Sequence, residues 1–340
     1  MTRLREVADR AGVSPATVSR VVNDPSKVNE RTRARVESAI RELGYRPSRV
    51  ARRLRVEGGC SSLVGLVIPD IQNPFFADLA RGVEDAAQRH GYAVFLGNSD
   101  DDPEKERRYL EVMRSESVDG VILPPSSDSD EAAREVIRAG IPFVCVDRRL
   151  GKAKVDTVVV DNVAGAYDAV EHLVQMGHRR IGFLVGKLDL STSRERLEGY
   201  RRALADHGLE HDPTLVLPGD SRQTTGRERT AELLARPDPP SALLVGNSLM
   251  TLGALEAINA AGVRVPEDLA IVGYDDMPWA MAVSPPLTVV RQPGYELGRQ
   301  AMELLLQRIR EPARSTVVVT LQSELVVRRS SRPKVDGRVA

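Results

Sequence analysis

After residue 62 the chain repeats one theme almost to its end: an apolar run of strand length, then a stretch with helical spacing. Leu63-Val64-Gly65-Leu66-Val67-Ile68-Pro69 reads as a buried strand, followed by a helix over about 75–90 and a strand over 92–96. Asp102-Pro103-Glu104 opens a helix to about 116, its acidic residues suiting the positive end of the helix dipole. Strands over 118–123 and 142–146 flank a helix over 130–139. Strands apolar on both faces need cover on both faces, and helical connections make neighbouring strands parallel. The theme restarts with an extended run over 156–160, a helix over 164–176, a strand over 180–185 and a helix near 193–206. Strands over 214–217, 241–245 and 269–272 alternate with helices near 225–235 and 249–261. The restart predicts two similar α/β lobes, each a parallel sheet. A long amphipathic helix over 293–310 and short strands over 317–319 and 324–327 complete the pattern.

In open sheets of this kind a ligand sits beyond the carboxyl ends of the strands. Polar and aromatic side chains gather at those ends. Asp70, Asn73, Phe75 and Phe76 follow the first strand, and Asp147 and Arg148 follow the strand ending at Val146. Arg194 and Arg196 open the helix after Val185, Asn247 follows Val245, and Asp275 follows Ile271-Val272-Gly273-Tyr274. Any one of these could be a cap or a solvated loop residue. Together they describe a cleft between lobes for a small polar ligand such as a sugar.

The first 46 residues read differently. Leu4, Val7, Ala8 and Ala11 make one face of a short helix, and Gly12 allows a tight turn. Ser14 can cap, and Pro15 can open, a second helix whose Val18, Val21 and Val22 oppose Ala16, Thr17 and Arg20. Asn29 caps a third helix with stripe Val36, Ile40 and Leu43, ended by Gly44. Such a pattern suits a three-helix bundle or a helix-turn-helix, whose second helix enters the major groove. Next comes Pro47-Ser48-Arg49-Val50-Ala51-Arg52-Arg53-Leu54-Arg55, with Val50 and Leu54 on one face among four arginines. It reads as a basic linker or as a helix too short to stand without support.

Charge separates the parts. The 48 Lys/Arg balance 48 Asp/Glu overall, yet residues 1–57 hold 14 against 7, so a nucleic-acid partner is expected for the head alone. The longest apolar runs are too short to span a membrane, and the N-terminus has no secretory h-region, so a cytoplasmic address is expected. Cys60 and Cys145 lack CxxC spacing, and the sequence offers no HExxH, Walker loop or strand-following GxGxxG. Neither enzymatic activity nor a cofactor is expected. His207 and His211 are separated by Gly208 and read as a surface turn, and Asp100-Asp101-Asp102 read as caps.

The run Leu4-Arg5-Glu6-Val7-Ala8-Asp9-Arg10-Ala11-Gly12-Val13-Ser14-Pro15-Ala16-Thr17-Val18-Ser19-Arg20-Val21-Val22-Asn23 resembles the head of the lactose-repressor (LacI/GalR) family. So does Leu43-Gly44-Tyr45-Arg46-Pro47, which in that family leads into a hinge, and the resemblance continues to about Arg329. It implies a small all-α helix-turn-helix domain at 1–46, a hinge helix and linker at 47–61, and a two-lobed, periplasmic-binding-protein-like effector and dimerisation domain at 62–330. Pro15, Ala16 and Arg20 match base-reading positions, and Thr17, Ser19 and Asn23 match positions near phosphates. Leu54 matches a leucine that wedges into the minor groove at the centre of a palindromic operator, with Arg49, Arg52 and Arg53 beside it on phosphates. Arg196, Asn247 and Asp275 match effector-holding positions, and Phe75 or Phe76 an aromatic wall. The resemblance also returns the helix over 293–310 to the first lobe.

Three departures weigh against a purine corepressor: Ser248 where many members have Asp, Ser221 where several have an aromatic ring, and the apolar Leu190. The tail has no leucine heptads, so a homodimer is expected rather than a tail-built tetramer. The expected function is a transcriptional regulator, most simply a repressor, whose operator affinity is controlled by a sugar or sugar derivative. A free periplasmic-type sugar-binding protein would share the two-lobed body, but the attached basic head argues against it.

Overall fold

The computed structural model describes residues 4–23, 27–45 and 61–331. The hinge expectations at Arg49, Arg52, Arg53 and Leu54, and the side chain of Asn23, lie outside the described residues. The chain divides into two compact units, Met1–Ser62 and Leu63–Ala340.

In the first unit, helices α1 (Leu4–Ala11), α2 (Pro15–Asn23) and α3 (Glu30–Glu42) enclose Val7, Ala8, Ala11, Val18, Val21, Val36 and Ala39. The caps are those the sequence implies. Ser14 Oγ accepts the Thr17 N–H (3.2 Å) and Asn29 Oδ1 that of Thr32 (2.8 Å), each satisfying an amide left free by a helix start. After α3 the chain turns at Gly44 (φ +59°), and Tyr45 N–H reaches back to Ile40 O (3.0 Å), which closes the helix end.

The second unit contains two six-stranded sheets. The first, in the order β11-β5-β4-β3-β1-β2, joins β1 (Leu63–Ile68), β2 (Ala93–Asn98), β3 (Gly120–Leu123), β4 (Phe143–Val146), β5 (Asp156–Val160) and β11 (Val318–Leu321), all parallel. Helices α4 (Pro74–Arg89), α5 (Pro103–Ser115), α6 (Glu131–Arg138) and α11 (Gly294–Arg310) complete this lobe. The second sheet, β12-β10-β9-β8-β6-β7, joins β6 (Ile181–Val185), β7 (Val216–Pro218), β8 (Ala242–Val245), β9 (Ala270–Tyr274) and β10 (Thr288–Arg291), with β12 (Glu324–Val326) antiparallel at one edge. Its helices are α7 (Asn162–Gln175), α8 (Ser191–Asp206), α9 (Gln223–Leu234) and α10 (Ser248–Ala260).

The chain therefore passes between lobes three times: from β5 to α7, from β10 to α11, and from β11 to β12. The 156–160 strand does not begin the second lobe, as its place in the pattern suggests, but lies in the first sheet. Asp156 there is buried and accepts Arg308 Nε (2.9 Å), Arg308 Nη2 (3.1 Å) and Arg314 Nη2 (2.5 Å). Those partners come from about 150 residues downstream, beyond the reach of any local pattern. The expected 214–217 strand splits into one 3₁₀ turn, Pro213–Leu215, and the short β7, because Asp212 Oδ1 captures the Thr214 N–H (2.9 Å). Helix α11 does belong to the first lobe. It crosses α4 where two glycines meet: a Cβ on Gly82 would lie 2.0 Å from Tyr295 O, and one on Gly298 1.9 Å from Leu79 O.

Candidate DNA-reading helix and effector cleft

Helix α2 turns Val18 and Val21 into the head core, and this leaves Pro15, Ala16 and Arg20 exposed on its other face, with Thr17 and Ser19 half-buried. The Thr17 hydroxyl is 2.9 Å from Ser14 Oγ. The turn before α2 is held by a residue the sequence did not point to. Arg35 Nη2, from α3, donates to Ala11 O (2.5 Å) and Gly12 O (3.3 Å), fixing the step between α1 and α2. A Cβ on Gly12 (φ +61°) would sit 2.7 Å from that guanidinium, which would have to shift and loosen its hold on the turn.

Between the lobes of the second unit, a narrow, nearly closed cleft with about 50 Å³ of free space lies at the carboxyl ends of the strands, where open α/β sheets bind ligands. Phe75 and Phe76 of the first turn of α4 form an edge-to-face pair (5.1 Å) on one wall. Each lobe contributes one aspartate by the same local device. Asp147 follows β4 and Asp275 follows β9, both buried and both left-handed (φ +64° and +67°). Their N–H groups bond to the next strand, Asp147 to Val158 O (2.8 Å) and Asp275 to Val290 O (2.9 Å). Aspartate tolerates this conformation better than most residues, and it turns the carboxyl off the strand end.

Charge is tightly matched in the cleft. Burial pushes the Asp147 carboxyl up to about 6, against the opposing pull of Arg148 and Arg196. Burial likewise raises Asp275, countered by Arg196, Gln292 and Ser248. Arg148 Nη1 donates to Asp101 Oδ1 (2.7 Å), while its Nε lies 3.6 Å from Asp147 Oδ2 and makes no hydrogen bond. Burial opposes ionisation of Asp101, but the charge and hydrogen bond of Arg148 bring its pKa down overall. Arg196 lies over the Tyr274 ring (4.1 Å) and donates to Asn162 Oδ1, Gly246 O and Gln292 Oε1 (2.9, 2.6 and 3.0 Å). Gln292 Nε2 then donates to Asp275 Oδ1 (2.6 Å).

The structure thus brings Phe75, Phe76, Asp147, Arg148, Arg196, Asn247 and Asp275 to one cleft. Arg194 is not there. Its guanidinium spans the rim to Asp128 of the first lobe (2.5 Å) and to Leu188 O (3.0 Å). Because α8 starts at Ser191, Arg194 and Arg196 are about 200° apart around the helix, and only Arg196 turns inward. Asn247 lines the cleft with its amide engaged, capping α10 at Met250 N (2.8 Å) and donating to Ser221 O (3.1 Å). Of the three aspartates read as caps, only Asp102 caps α5. Asp101 enters the cleft, and Asp100 pairs with Lys105. Gln292, Thr192 and Ser193 also line the cleft, as do Asp220 and Arg222. Direct bonds cross between lobes: Ser248 Oγ to Asn73 Oδ1 (3.0 Å) and Arg222 Nη2 to Asp100 O (3.0 Å). A larger groove in the second lobe is walled by Leu255, Ile258, Val265, Pro266 and Leu287. Its polar lining is Asn259, Arg264, Glu267, Ser284, Arg329 and Ser330, of which Arg264 is paired with Asp268 and Ser330 Oγ donates to Ile271 O (2.7 Å). Among the described residues no helix is long and apolar enough to cross a membrane.

Residues 3–48 match the model of bacterial regulatory proteins of the lacI family. Residues 61–328 match that of periplasmic binding proteins and the sugar-binding domain of the LacI family. The chain is 36% identical over 329 residues to the transcriptional repressor CytR of Escherichia coli strain K12, covering 97% of this chain and 96% of that protein. A structure of the regulator CelR in complex with cellobiose is 37% identical, with TM-score 0.74 over 97% of this chain and all of that one. The lac repressor dimer bound to operator and the anti-inducer ONPF is 30% identical, with TM-score 0.85 over 97% of this chain and 99% of that one. A helix-turn-helix head and a two-lobed sensor core joined in one chain, both matched in sequence and fold, make this protein a member of the LacI family of bacterial transcription regulators.

Proposed function

We propose that the chain is a cytoplasmic, dimeric repressor that binds a palindromic operator through residues 1–46 and a hinge at 47–61, and senses an uncharged sugar or sugar derivative through residues 62–330. The observation that carries the ligand class is the charge of the cleft. Asp70, Asp101, Asp147, Asp220 and Asp275 face Arg148, Arg196 and Arg222, and the two buried arginines, Arg148 and Arg196, already bond to protein oxygens. An anionic ligand would meet surplus carboxylate, whereas sugar hydroxyls can donate to it. The Arg148 Nε–H is a spare donor for a ring or hydroxyl oxygen, and the edge-to-face pair of Phe75 and Phe76 offers apolar ring surface to a sugar face. The cellobiose complex of CelR supports this class of ligand. Arg20 would read base edges, Pro15 and Ala16 would pack beside it, and Thr17, Ser19 and Asn23 would approach phosphates. Arg49, Arg52 and Arg53 would do the same around a Leu54 wedge.

The test is selection of binding sites from a random DNA pool by the full-length chain, then gel shift with cellobiose and a panel of mono- and disaccharides. A palindrome whose affinity changes with one sugar is the expected result. Recovery of no preferred sequence at low salt would refute the DNA-binding half, and indifference to every sugar the ligand half.

A further inference from the structure

Arg196 is bonded to more than the cleft wall. Its Nε donates to Oδ1 of Asn162 (2.9 Å), the first residue of α7, where the chain has just left the first lobe. Its Nη2 donates to Oε1 of Gln292 (3.0 Å), between β10 and α11, where the chain returns. One buried guanidinium therefore grips two of the three crossings on which the lobes turn. Asn162 is held from its other side as well. Its Nδ2 donates to Glu195 Oε2 (3.0 Å), and Glu195 Oε1 accepts Arg149 Nε (3.1 Å) from the first lobe. With the bond from Gln292 Nε2 to Asp275 Oδ1, an unbroken path runs from Arg149 at the rim, through Glu195, Asn162, Arg196 and Gln292, to Asp275 in the cleft.

The geometry points to Glu195 and Asn162 as positioning residues that tie the setting of Arg196 to closure of the lobes; this builds on the reading that Arg196 faces the effector. The chemistry allows one arrangement only. A guanidinium has donors and no acceptor, so the amide oxygen of Asn162 must face Arg196. The two N–H groups of the amide nitrogen then go to the Glu195 carboxylate and to Val160 O (3.2 Å). The same carboxylate holds Arg149 with its second oxygen, so movement of the first lobe reaches the Asn162 amide through one side chain. Arg149 and Glu195 are partly exposed, and a single pair of this kind contributes little energy. The path acts by fixing orientation rather than by strength. A ligand that draws on Arg196 pulls on both crossings, and closure of the rim restricts where Arg196 can point.

The test needs neither effector nor operator. Dyes are attached at Ser115→Cys in the first lobe and Glu228→Cys in the second, both exposed, in a Cys60→Ser chain; Cys145 is buried. Labelled copies are mixed with excess unlabelled chain so that each dimer carries one labelled copy, and energy transfer reports the lobe separation. The side-chain Nε–H resonances of Arg149 and Arg196 are followed in parallel. Arg149→Ala and Glu195→Ala should each shift the separation to the same longer distance, with no further shift in the double variant. Arg149→Ala should also displace the Arg196 resonance, which a merely local surface role would leave alone. An unchanged separation in both single variants, or an Arg196 resonance indifferent to loss of Arg149, overturns the proposal. Failure to select DNA or to answer any sugar would instead undo the proposed function and leave both readouts interpretable.

Discussion

Glu106 offers the sharpest quantitative test of the first lobe. It projects from α5 and is 1% exposed, against Asp130, whose Oδ1 caps α6 at Ala133 N (2.9 Å). Ser126 Oγ donates to Glu106 Oε1 (3.3 Å). Burial first, then the hydrogen bond and charge of Asp130, push the Glu106 carboxyl up to about 10. At neutral pH it therefore keeps its proton and donates it toward Asp130. In the unfolded chain the same carboxyl titrates near 4.5. Between those values the native state holds a proton that the unfolded state has lost, so stability falls as pH rises, by about 1.4 kcal/mol per unit. The contribution is complete below the unfolded pKa and exhausted above the folded one. Glu106→Gln keeps the shape, the acceptor toward Ser126 and a donor toward Asp130, but has no proton to lose. From about pH 5.5 to about pH 8.5 the wild-type chain should lose roughly 4 kcal/mol that the variant retains, about 10 °C in Tm for a domain of this size. Thermal unfolding of both chains across that range, at one salt concentration, measures the gap, and titrating groups remote from Glu106 cancel. A gap that does not widen with pH would show that Glu106 is ionised in the folded protein.

Four further outcomes are expected. Arg20→Ala should weaken binding to the selected operator by about 10- to 100-fold while leaving scrambled DNA nearly unaffected in gel shift; an equal loss on both would remove Arg20 from base reading. Asp275→Ala should leave operator affinity intact and abolish its response to the sugar, so an unchanged ligand titration would contradict the cleft assignment. Because burial pushes Asp147 up to about 6, sugar affinity that uses its carboxylate should rise as pH increases through that value and be flat in Asp147→Asn, by calorimetry. Gly298→Ala drives a methyl against Leu79 O at 1.9 Å, so α4 and α11 must separate, at a cost of about 1–3 kcal/mol; an unaltered Tm would mean the helix pair yields freely.

The alternation of apolar runs and helical spacing was enough to read two lobes, because strands such as Leu63–Ile68 and Ile181–Val185 are apolar at nearly every position. Strand-end position was enough to collect Asp147, Arg148, Arg196 and Asp275. Connectivity was not legible: Asp156 is satisfied by Arg308 and Arg314, and no local pattern announces partners that far away. Nor was facing at a helix start, where a two-residue difference in the first turn decided that Arg196 enters the cleft and Arg194 does not. Asn162 and Gln292 carry no periodic signal, since their importance comes from lying on the crossings. Asp101 was hidden by its neighbours, because a single aspartate sufficed for the cap, and the left-handed backbone that turns Asp101 inward follows from the loop.

The interleaved path between lobes bears on the order in which the protein comes into being. All described parts of the head core have been synthesised once residue 45 is made. The first lobe has β1 to β5 by residue 160, yet Leu297, Ala301 and Leu305, which cover Leu79 and Val83, belong to α11. At about 5–20 residues per second, translation of the stretch between them takes roughly 7–30 s. A nascent chain thus carries a finished helix-turn-helix well before either sheet can be completed, since β11 and β12 come later still. A chain stopped before α11 would hold a complete helix-turn-helix head beside a sensor whose two sheets cannot close.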